Sequence, residues 1–504
     1  MAISRSYNLD LSGLDREGSA SLTQQLVDLF RAEIDTGRLP AEARLEPTRA
    51  LAERAGINHL TAVRAYRRLA ELGYVTAAVG RGTFVRRMAP LAPTSDSSDW
   101  QAAVLPERRV SYANDALALS FRMPREAEMI SLATGWPDPA LLPVDDLARI
   151  AADVFREVGT EALSYLDPEG LPALRSEIAA RGRLHGFAGE ADEIVVTSGA
   201  RQAIDLVARA VLRPGDVVAV EAPTFAGTLS SLQATGARLI GVPVDQDGLD
   251  VDALERVLAR HEIKLCVLQS SCQNPTGRDL CAARAARLIG LARERSFFVL
   301  DDGVYAGVRF DGAERRRLRH LAPSHVIYVD SLSKTIGGGL RLGWVAADGP
   351  IRSRLIDLKL GSDFHTSSLI QHLAARYLAG GSYEEMLQRT IPVYRDRRDV
   401  LLESIDRRLA GEASYSFPLG GHHVWVTLDR PTDEQLLLRE AVRCGVTFTP
   451  GRAMVPEEAL RGQLRLSFSL LGPAELDEGV RRLGTALRQL RRDAGAGRAA
   501  LAIS

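Results

Sequence analysis

The run Ser331-Leu-Ser-Lys334, followed by Gly337-Gly-Gly339 and Arg341, sets an amine among hydroxyls, glycines and a guanidinium. Such a lysine suits a buried amine beside a bound anion, and an amine can form a Schiff base where a guanidinium cannot. Lysine is scarce here: of 63 Lys plus Arg, the lysines are Lys264, Lys334 and Lys359. GC-rich coding accounts for the bias as a whole, but each retained lysine invites a chemical reading. Ser198-Gly199-Ala200 follows the apolar run Ile194–Thr197 and opens a helical stretch. Free backbone N–H groups and the helix dipole at that point can hold a phosphate, with Arg341 adding a fixed positive charge. Asp302 ends a buried strand, where an unpaired carboxylate is costly, so a cationic partner such as a protonated pyridine nitrogen is expected. Asn274, in Asn274-Pro275-Thr276-Gly277, and Tyr305 can donate to a phenolate oxygen, and Phe225, after Pro223-Thr224, can stack on an aromatic ring. Taken singly, each has an ordinary alternative: surface-loop lysine, helix-capping serine, turn asparagine, core tyrosine, core phenylalanine.

These residues need a scaffold, and the chain is long enough to supply one. Its 504 residues correspond to two or three domains at ~100–200 residues each. With 46% hydrophobic and 25% charged residues it reads as a globular protein, not as a disordered, collagenous or coiled-coil chain. No apolar run approaches the ~18 residues of a membrane helix, and the first residues lack the basic-then-apolar order of a signal peptide. Cys266, Cys272, Cys281 and Cys444 form no CxxC pair, which disfavours structural zinc and disulfides and fits a cytoplasmic location. From about residue 110, short apolar runs at 194–197, 217–221, 265–269, 297–301 and 326–330 alternate with helical stretches, as buried parallel strands do in an α/β domain. From about Ile391 onward, strands at 424–428 and 463–469 mix with helices in a smaller α+β lobe.

The N-terminal segment has a different character. Residues 49–87 hold eight arginines against Glu53 and Glu71, which is either a polyanion-binding face or a solvated helix surface. Ser21 and Gln24 form a capping box, and Leu22, Leu26, Phe30 and Ile34 give an amphipathic helix closed by Gly37. A second helix starts at Pro47 and stops before Gly56; Asn58 caps a third, which carries Val63, Tyr66 and Leu69 and ends at Gly73. Two short strands, 74–78 and 83–86, join through Gly80-Arg81-Gly82. Three helices and a hairpin make a winged helix-turn-helix. The Pro-, Ser- and Asp-rich stretch that follows reads as a linker. The expected organisation is a reader at 17–88, a linker at 89–109 and an α/β domain at 110–500.

The series Tyr165-x-x-x-x-Gly170, Ser198-Gly199-Ala200, Pro223-Thr-Phe225, Asn274-Pro-Thr-Gly277, Asp302-x-x-Tyr305, Ser331-x-Ser-Lys334 and Arg465-Leu-Ser-Phe468 resembles fold-type I, class I aminotransferases. The resemblance implies that Lys334 forms the internal aldimine with pyridoxal 5'-phosphate, that Asp302 pairs with the pyridine nitrogen, and that Asn274 and Tyr305 bind the ring oxygen. It further implies that Ser198, Gly199, Ala200, Ser331, Ser333 and Arg341 line the phosphate site, and that Tyr165 reaches the phosphate of a partner subunit in a homodimer. Arg465 matches the arginine that grips a substrate α-carboxylate, and Gly135 matches a nearby backbone contact. Phe225 departs from the tyrosine or tryptophan of many relatives; stacking survives while any hydroxyl role is lost.

The N-terminal segment resembles the GntR type of winged helix through Pro47-Thr-Arg49-Ala-Leu-Ala52, Thr61-x-x-Arg64-Ala-Tyr-Arg67-Arg68-Leu69 and the wing Gly80-Arg81-Gly82-Thr-Phe-Val85. The whole chain then resembles the MocR-type regulators, in which such a reader is fused to an aminotransferase-like domain. That resemblance implies double-stranded operator DNA as a partner, contacted by Arg49, His59, Thr61, Arg64 and Arg81. It also implies a small amino compound or B6 vitamer as effector, and no membrane partner. Asn58-His59-Leu60-Thr61 stands where relatives carry Ser-Arg-x-Thr, so the operator cannot be copied from them. The leading expectation is a pyridoxal-phosphate-dependent transcription regulator. The alternatives are a working aminotransferase with an appended reader, and, more weakly, a lyase or racemase using the same cofactor.

Overall fold

The computed structural model describes residues 11, 14–15, 21–35, 38–40, 42–78, 82–86, 129–313, 316–456 and 462–502. The expected linker, Gly37 and the wing-tip Arg81 lie outside the described residues. The chain divides into two compact units, residues 1–108 and 109–504.

In the first unit, α1 (Leu22–Asp35), α2 (Thr48–Ala55) and α3 (His59–Glu71) precede the hairpin β1 (Val75–Ala78) and β2 (Gly82–Val85). The helix boundaries follow their caps. Pro47 is the residue before α2 instead of its first helical residue, and Gly56 ends that helix with φ 60°, a conformation that favours glycine. The Asn58 side chain accepts from the Leu60 N–H at 2.8 Å. Only half of the expected capping box forms: Ser21 Oγ accepts from the Gln24 N–H, while the Gln24 amide turns to Asp28. Leu26, Phe30, Leu51, Tyr66, Leu69, Val75 and Val85 pack into one core. The wing gains an edge the sequence did not suggest: Leu45 N–H donates to Thr83 O and Val85 N–H to Ala43 O, at 2.8 and 2.9 Å.

The second unit begins with β3 (Ile130–Ser131), α4 (Val144–Glu157) and α5 (Pro172–His185). Its sheet is built from β4 (Ile194–Thr197), β5 (Val217–Ala222), β6 (Arg238–Asp245), β7 (Gly248–Leu249), β8 (Ile263–Leu268), β9 (Phe298–Asp302), β10 (Val326–Ser331) and β11 (Gly343–Ala346). Between the strands run α6 (Ala200–Val211), α7 (Ala226–Ala234), α8 (Val251–Leu258) and α9 (Ala282–Arg295), and after them α10 (Gly349–Asp363) and α11 (Ser368–Ala379). The spatial order is β4-β11-β10-β9-β8-β5-β6-β7. Each expected parallel strand is present within a residue or two, but the sheet is mixed. β11 runs antiparallel between β10 and β4, and the short β7 is antiparallel at the far edge.

Period-two alternation divides the strand residues between two covered faces. Val195, Val218, Leu300, Ile327 and Val345 pack under α6 and α7. Ile194, Val196, Tyr328, Trp344 and Ala346 pack against α4, α5 and α11. Because both faces are buried, the strands read as unbroken apolar runs.

The small lobe does not begin at Ile391, as the sequence suggested, because that residue lies inside α12 (Ser382–Arg408). The lobe comprises β12 (Ala413–Tyr415), β13 (His423–Leu428), α13 (Glu434–Arg443), β14 (Val446–Thr447), β15 (Thr449–Pro450), β16 (Gln463–Ser467) and α14 (Pro473–Ala502). Its sheet has the order β12-β13-β16-β15, while β14 pairs with β3, so the segment before α4 returns to this lobe. Leu132 joins the lobe's core with Val424, Val426, Leu464 and Leu466. No described helix is long and apolar enough to cross a membrane.

One buried ion pair pins the loop that carries Asn274. Arg309 Nη1 donates to both Asp279 carboxylate oxygens at 3.0 and 2.9 Å and to Ser271 Oγ at 3.0 Å, and the two side chains are 7% and 4% exposed. Arg309→Met should therefore lower stability by about 3–5 kcal/mol, the cost of stranding one buried charge. In urea melts followed by tryptophan fluorescence, adding Asp279→Leu should recover part of that loss; a midpoint unchanged by Arg309→Met would show that the pair carries no such weight.

Candidate functional site

Strand direction gathers the site. β9 and β10 are parallel, with Val329 opposite Asp302, and β5, β8 and β9 share their direction. Their carboxyl ends therefore lie on one edge, where ligands bind in open α/β sheets. β4 ends on that edge at Thr197, directly before Ser198-Gly199. β11 runs the other way, so its first residue is there too: Gly343 sits opposite both Thr197 and Ser331. Arg341, two residues before β11, thus comes beside Ser198, and its Nη2 donates to Ser198 O at 3.0 Å.

Ser198, Gly199 and Ala200 shape the start of α6. Gly199 has φ 96°, and a Cβ on it would lie 2.9 Å from Arg341 Nη2. This close approach and the positive φ need glycine; the Ser198 N–H itself donates to Gln202 Oε1 at 2.7 Å. The Ser198 hydroxyl donates to Asp363 Oδ2 at 3.2 Å. Asp363 in turn accepts from Gln202 and from the fully buried Lys359, at 2.8 and 2.7 Å. Ser331 Oγ accepts from the Ser333 N–H at 3.4 Å, forming the short turn that presents Lys334.

Asp302 and Arg465 are buried and Lys334 is half-buried, each with neutral partners. Lys334 Nζ donates to Gly135 O at 2.9 Å and sits 5.5 Å from the Tyr305 ring centre. Burial brings its pKa down to about 8, helped by the nearby Arg465 and Arg341 and opposed by Asp302. Asp302 accepts from Gln269 Nε2 at 2.8 Å and from the Val304 N–H at 3.3 Å. Burial pushes its carboxyl up to about 6, against the lowering effect of the Gln269 bond. Arg465, 8% exposed, donates to Ala133 O, Thr449 Oγ1 and Asn274 Oδ1 at 2.8, 3.0 and 3.3 Å. Its buried Nε has no partner among the described residues, and burial lowers its pKa to about 10.

Contacts tie Gly135, Lys334, Tyr305, Asn274 and Arg465 into one neighbourhood, with Ser198, Gly199 and Arg341 grouped at the adjoining helix start. Phe225, half-buried at the start of α7, packs its ring over Gly227. Tyr165 stands apart: it is 86% exposed and meets His365 edge-on at 5.5 Å. Gln269, His422, His423 and Asp363 were not anticipated, and Lys359 was singled out only as one of the three lysines. Gln269 was legible as the residue closing an apolar strand. The two histidines, placed between a glycine pair and an apolar strand, carry a signal indistinguishable from core histidines.

In the first unit, the buried face of α3 is Ala62, Ala65, Tyr66 and Leu69. Leu60, Arg64 and Arg67 are not part of that face, and Arg49 stands near the start of α2; Thr61 is half-buried. His59 Nε2 lies 3.0 Å from Thr48 Oγ1, which links the N-termini of α2 and α3. Arg54 and Arg68 are paired with Glu46 and Glu71, whereas Arg49, Arg64 and Arg67 have no ion-pair partner among the described residues.

A family model described as aminotransferase class I and II matches residues 127–483, and one described as bacterial regulatory proteins, gntR family, matches residues 22–85. The chain is 35% identical over 366 residues to a 2-aminoadipate transaminase of Thermus thermophilus, covering 72% of this chain and 91% of that protein. It is 26% identical over 480 residues to the probable rhizopine catabolism regulatory protein MocR of Rhizobium meliloti, covering 95% and 96%. Among solved structures, the α-aminoadipate aminotransferase LysN of Thermus thermophilus, complexed with N-(5'-phosphopyridoxyl)-L-leucine, aligns with TM-score 0.71 and 34% identity over 78% of this chain and 99% of that one.

The electrostatics predict the behaviour of the cofactor-free amine. Lys334 should be labelled by an amine-reactive reagent with a pH midpoint near 8, read by peptide mass spectrometry. Because Arg465 lowers the lysine pKa and Asp302 raises it, Arg465→Met should move the midpoint up and Asp302→Asn should move it down. A midpoint at the ordinary lysine value would refute this reading of the site's field.

Proposed function

The chain belongs to the aminotransferase class I and II family, and from that premise we propose that it is a transcription regulator that holds pyridoxal phosphate and senses an amino compound or B6 vitamer. The observation that carries the proposal is the joining of a gntR-family unit to the aminotransferase unit, in an order matched over 95% of the chain by a regulator.

The residues fit the cofactor. A Cβ on Gly199 would press on the Arg341 guanidinium, so the bare backbone at the start of α6 and a fixed cation lie side by side, and Asp302 is a buried carboxylate with only neutral donors. Lys334 would hold the cofactor covalently and Asp302 would pair with its ring nitrogen. Asn274 and Tyr305 would bind its ring oxygen and Phe225 would stack on the ring. Ser198, Gly199, Ala200, Ser331, Ser333 and Arg341 would hold the phosphate. When bound, pyridoxal phosphate supplies an electrophilic carbonyl and an electron sink for amines. The depressed Lys334 pKa keeps a fraction of the amine neutral near pH 7–8, the form that can act as a nucleophile. Arg465 would receive the effector's carboxylate through a bidentate pair, with Gly135 beside it. Tyr165, too exposed to serve its own site, would complete the phosphate site of a second copy in a homodimer. That dimer would present two readers to a repeated operator. Arg49, His59, Thr61 and Arg64 would meet DNA, Arg81 would do so from the wing, and a cytoplasmic location follows from that partner. The domain limits we assign remain 17–88, 89–109 and 110–500.

A second reading, a working aminotransferase, is favoured by the identity with a named transaminase. It requires multiple turnovers at ~1–10³ per second with DNA binding indifferent to amino compounds.

Three outcomes follow. Borohydride should trap pyridoxal phosphate on wild type and on Lys264→Arg, whose amine is a surface group paired with Glu262, but not on Lys334→Ala; trapping at another lysine would contradict the assignment. Arg64→Ala should weaken DNA binding across sequences and reduce the salt slope by about 1, and a full-length protein without salt-sensitive DNA binding would end the regulator reading. Arg465→Ala should retain DNA affinity and cofactor while weakening an amino-acid effector by about 2–5 kcal/mol, measured by titrating the visible band. No change with an amino-acid effector would remove Arg465 from the effector site.

A further inference from the structure

His422 precedes β13 and His423 opens it, in the run Gly420-Gly-His-His, and the proposed chemistry leaves both unused. Both are buried. The His423 ring lies against the Gly135 backbone, where a Cβ would come within 2.0 Å of Cε1 and 2.7 Å of Nε2. Its other side meets Tyr305: Nε2 is 2.9 Å from the phenol oxygen, and the rings are edge-on at 5.6 Å and 83°. The strand fixes this placement, because His423 pairs with Ser467 on β16, the strand that also carries Arg465. His423 Nδ1 has no hydrogen-bond partner among the described residues.

The charged and titratable groups facing the ring are Arg465, Lys334, His422 and Tyr305. Burial first, and then the positive charges of Arg465 and Lys334, hold the imidazole well below its ordinary pKa, so it is neutral and has one N–H and one lone pair. Burial likewise raises the Tyr305 pKa, so the phenol keeps its proton. Two arrangements satisfy the Tyr305–His423 bond. With the proton on Nδ1, a buried N–H has no acceptor and the phenol proton is taken up by Nε2. With the proton on Nε2, the unmet group is a lone pair, and an unmet buried acceptor is commoner than an unmet N–H. The phenol proton is then free to point elsewhere.

We propose that His423 is the positioning residue for Tyr305: its Nε2–H donates to the phenol oxygen and thereby directs the phenol proton to the ring oxygen of pyridoxal phosphate. The proposal rests on the cofactor reading above. It makes Tyr305 a donor of fixed direction. A ring oxygen deprived of that donor becomes a stronger base, so the pH midpoint of the bound cofactor's visible band must rise. Gly135 belongs to the same device, since its missing side chain is what lets the imidazole reach the phenol.

The test uses the full chain, stripped of cofactor and titrated with pyridoxal phosphate, as wild type, His423→Phe, His423→Gln, Tyr305→Phe and the double variant Tyr305→Phe/His423→Phe. Folding is checked by circular dichroism. His423→Phe should raise the midpoint by about 0.5–1 pH unit and weaken cofactor binding by roughly tenfold. His423→Gln, which keeps an N–H within reach of the phenol, should recover most of both effects. In the Tyr305→Phe background, His423→Phe should change neither quantity. A wild-type midpoint in His423→Phe would overturn the proposal, as would an equal effect of His423→Phe with and without the Tyr305 hydroxyl. If His423→Phe does not fold, His423→Gln with the midpoint of Tyr305→Phe overturns it equally. If wild type takes up no pyridoxal phosphate, the cofactor reading itself fails and takes this proposal with it, an outcome recognisable because no protein in the set shows a visible band.

Discussion

Asp302 and Arg465 are held out of water at one edge of a sheet and Lys334 is half-buried beside them, and the hydrogen bonds of all three go to neutral dipoles instead of to an opposite charge. The lysine donates to a backbone carbonyl, the aspartate accepts from an amide side chain and a backbone N–H, and the arginine donates to a carbonyl, a hydroxyl and an amide oxygen. Charges buried in this way cost stability. The apolar layers on both faces of the sheet, with their fully buried valines, leucines and isoleucines, are what can offset that cost. The direction of each pKa shift follows: the lysine and the arginine are pulled down and the aspartate is pushed up. A ligand that brings a carbonyl, a ring cation and a carboxylate would relieve all three at once, as an amino compound joined to pyridoxal phosphate would under the proposed function.

The reader unit rests on a different balance. Its core is small, built around an edge-on Phe30–Tyr66 contact at 5.4 Å, and the Tyr66 hydroxyl donates to Glu46 O at 2.9 Å. Glu46 and Arg54 neutralise each other in the turn before α2 and on its last residues, so the surplus positive charge is concentrated at Arg49, Arg64 and Arg67. Under the proposed function, a polyanion would meet the starts of α2 and α3 and the outer side of α3, where the arginines are uncommitted.

Most of the scaffold was legible because apolar strands and capping residues act locally. The strands at 194–197, 265–269 and 326–330 and the caps Gly56 and Asn58 each announce themselves within a few residues. What escaped was set by distant pairing. Nothing in Gly343–Ala346 states that it will slip antiparallel between β10 and β4. The small lobe was expected from about Ile391, yet one helix runs through that residue and through Pro392. The residues proposed for the cofactor were legible as a series, although each alone, even a rare lysine or a carboxylate at a strand end, had an ordinary alternative. His423 was not, since a histidine before an apolar strand becomes chemically distinct only once Gly135, from the other end of the domain, is packed against it.

The insertion of β11 has a consequence for the order in which the site is assembled. β10 and β11 form a hairpin whose connection carries both Lys334 and Arg341, so these two cations are brought together by a contact between near neighbours in the chain. The β4–β11 pairing, which sets Ser198 and Gly199 beside Arg341, joins segments separated by most of the large sheet's sequence. Loop-closure entropy favours the first contact over the second. The lysine–arginine loop is thus the cheaper of the two to close, and the residues proposed for the phosphate come together only through the β4–β11 pairing. A cofactor bound across that pairing would add its binding free energy to the stability of the whole sheet by mass action.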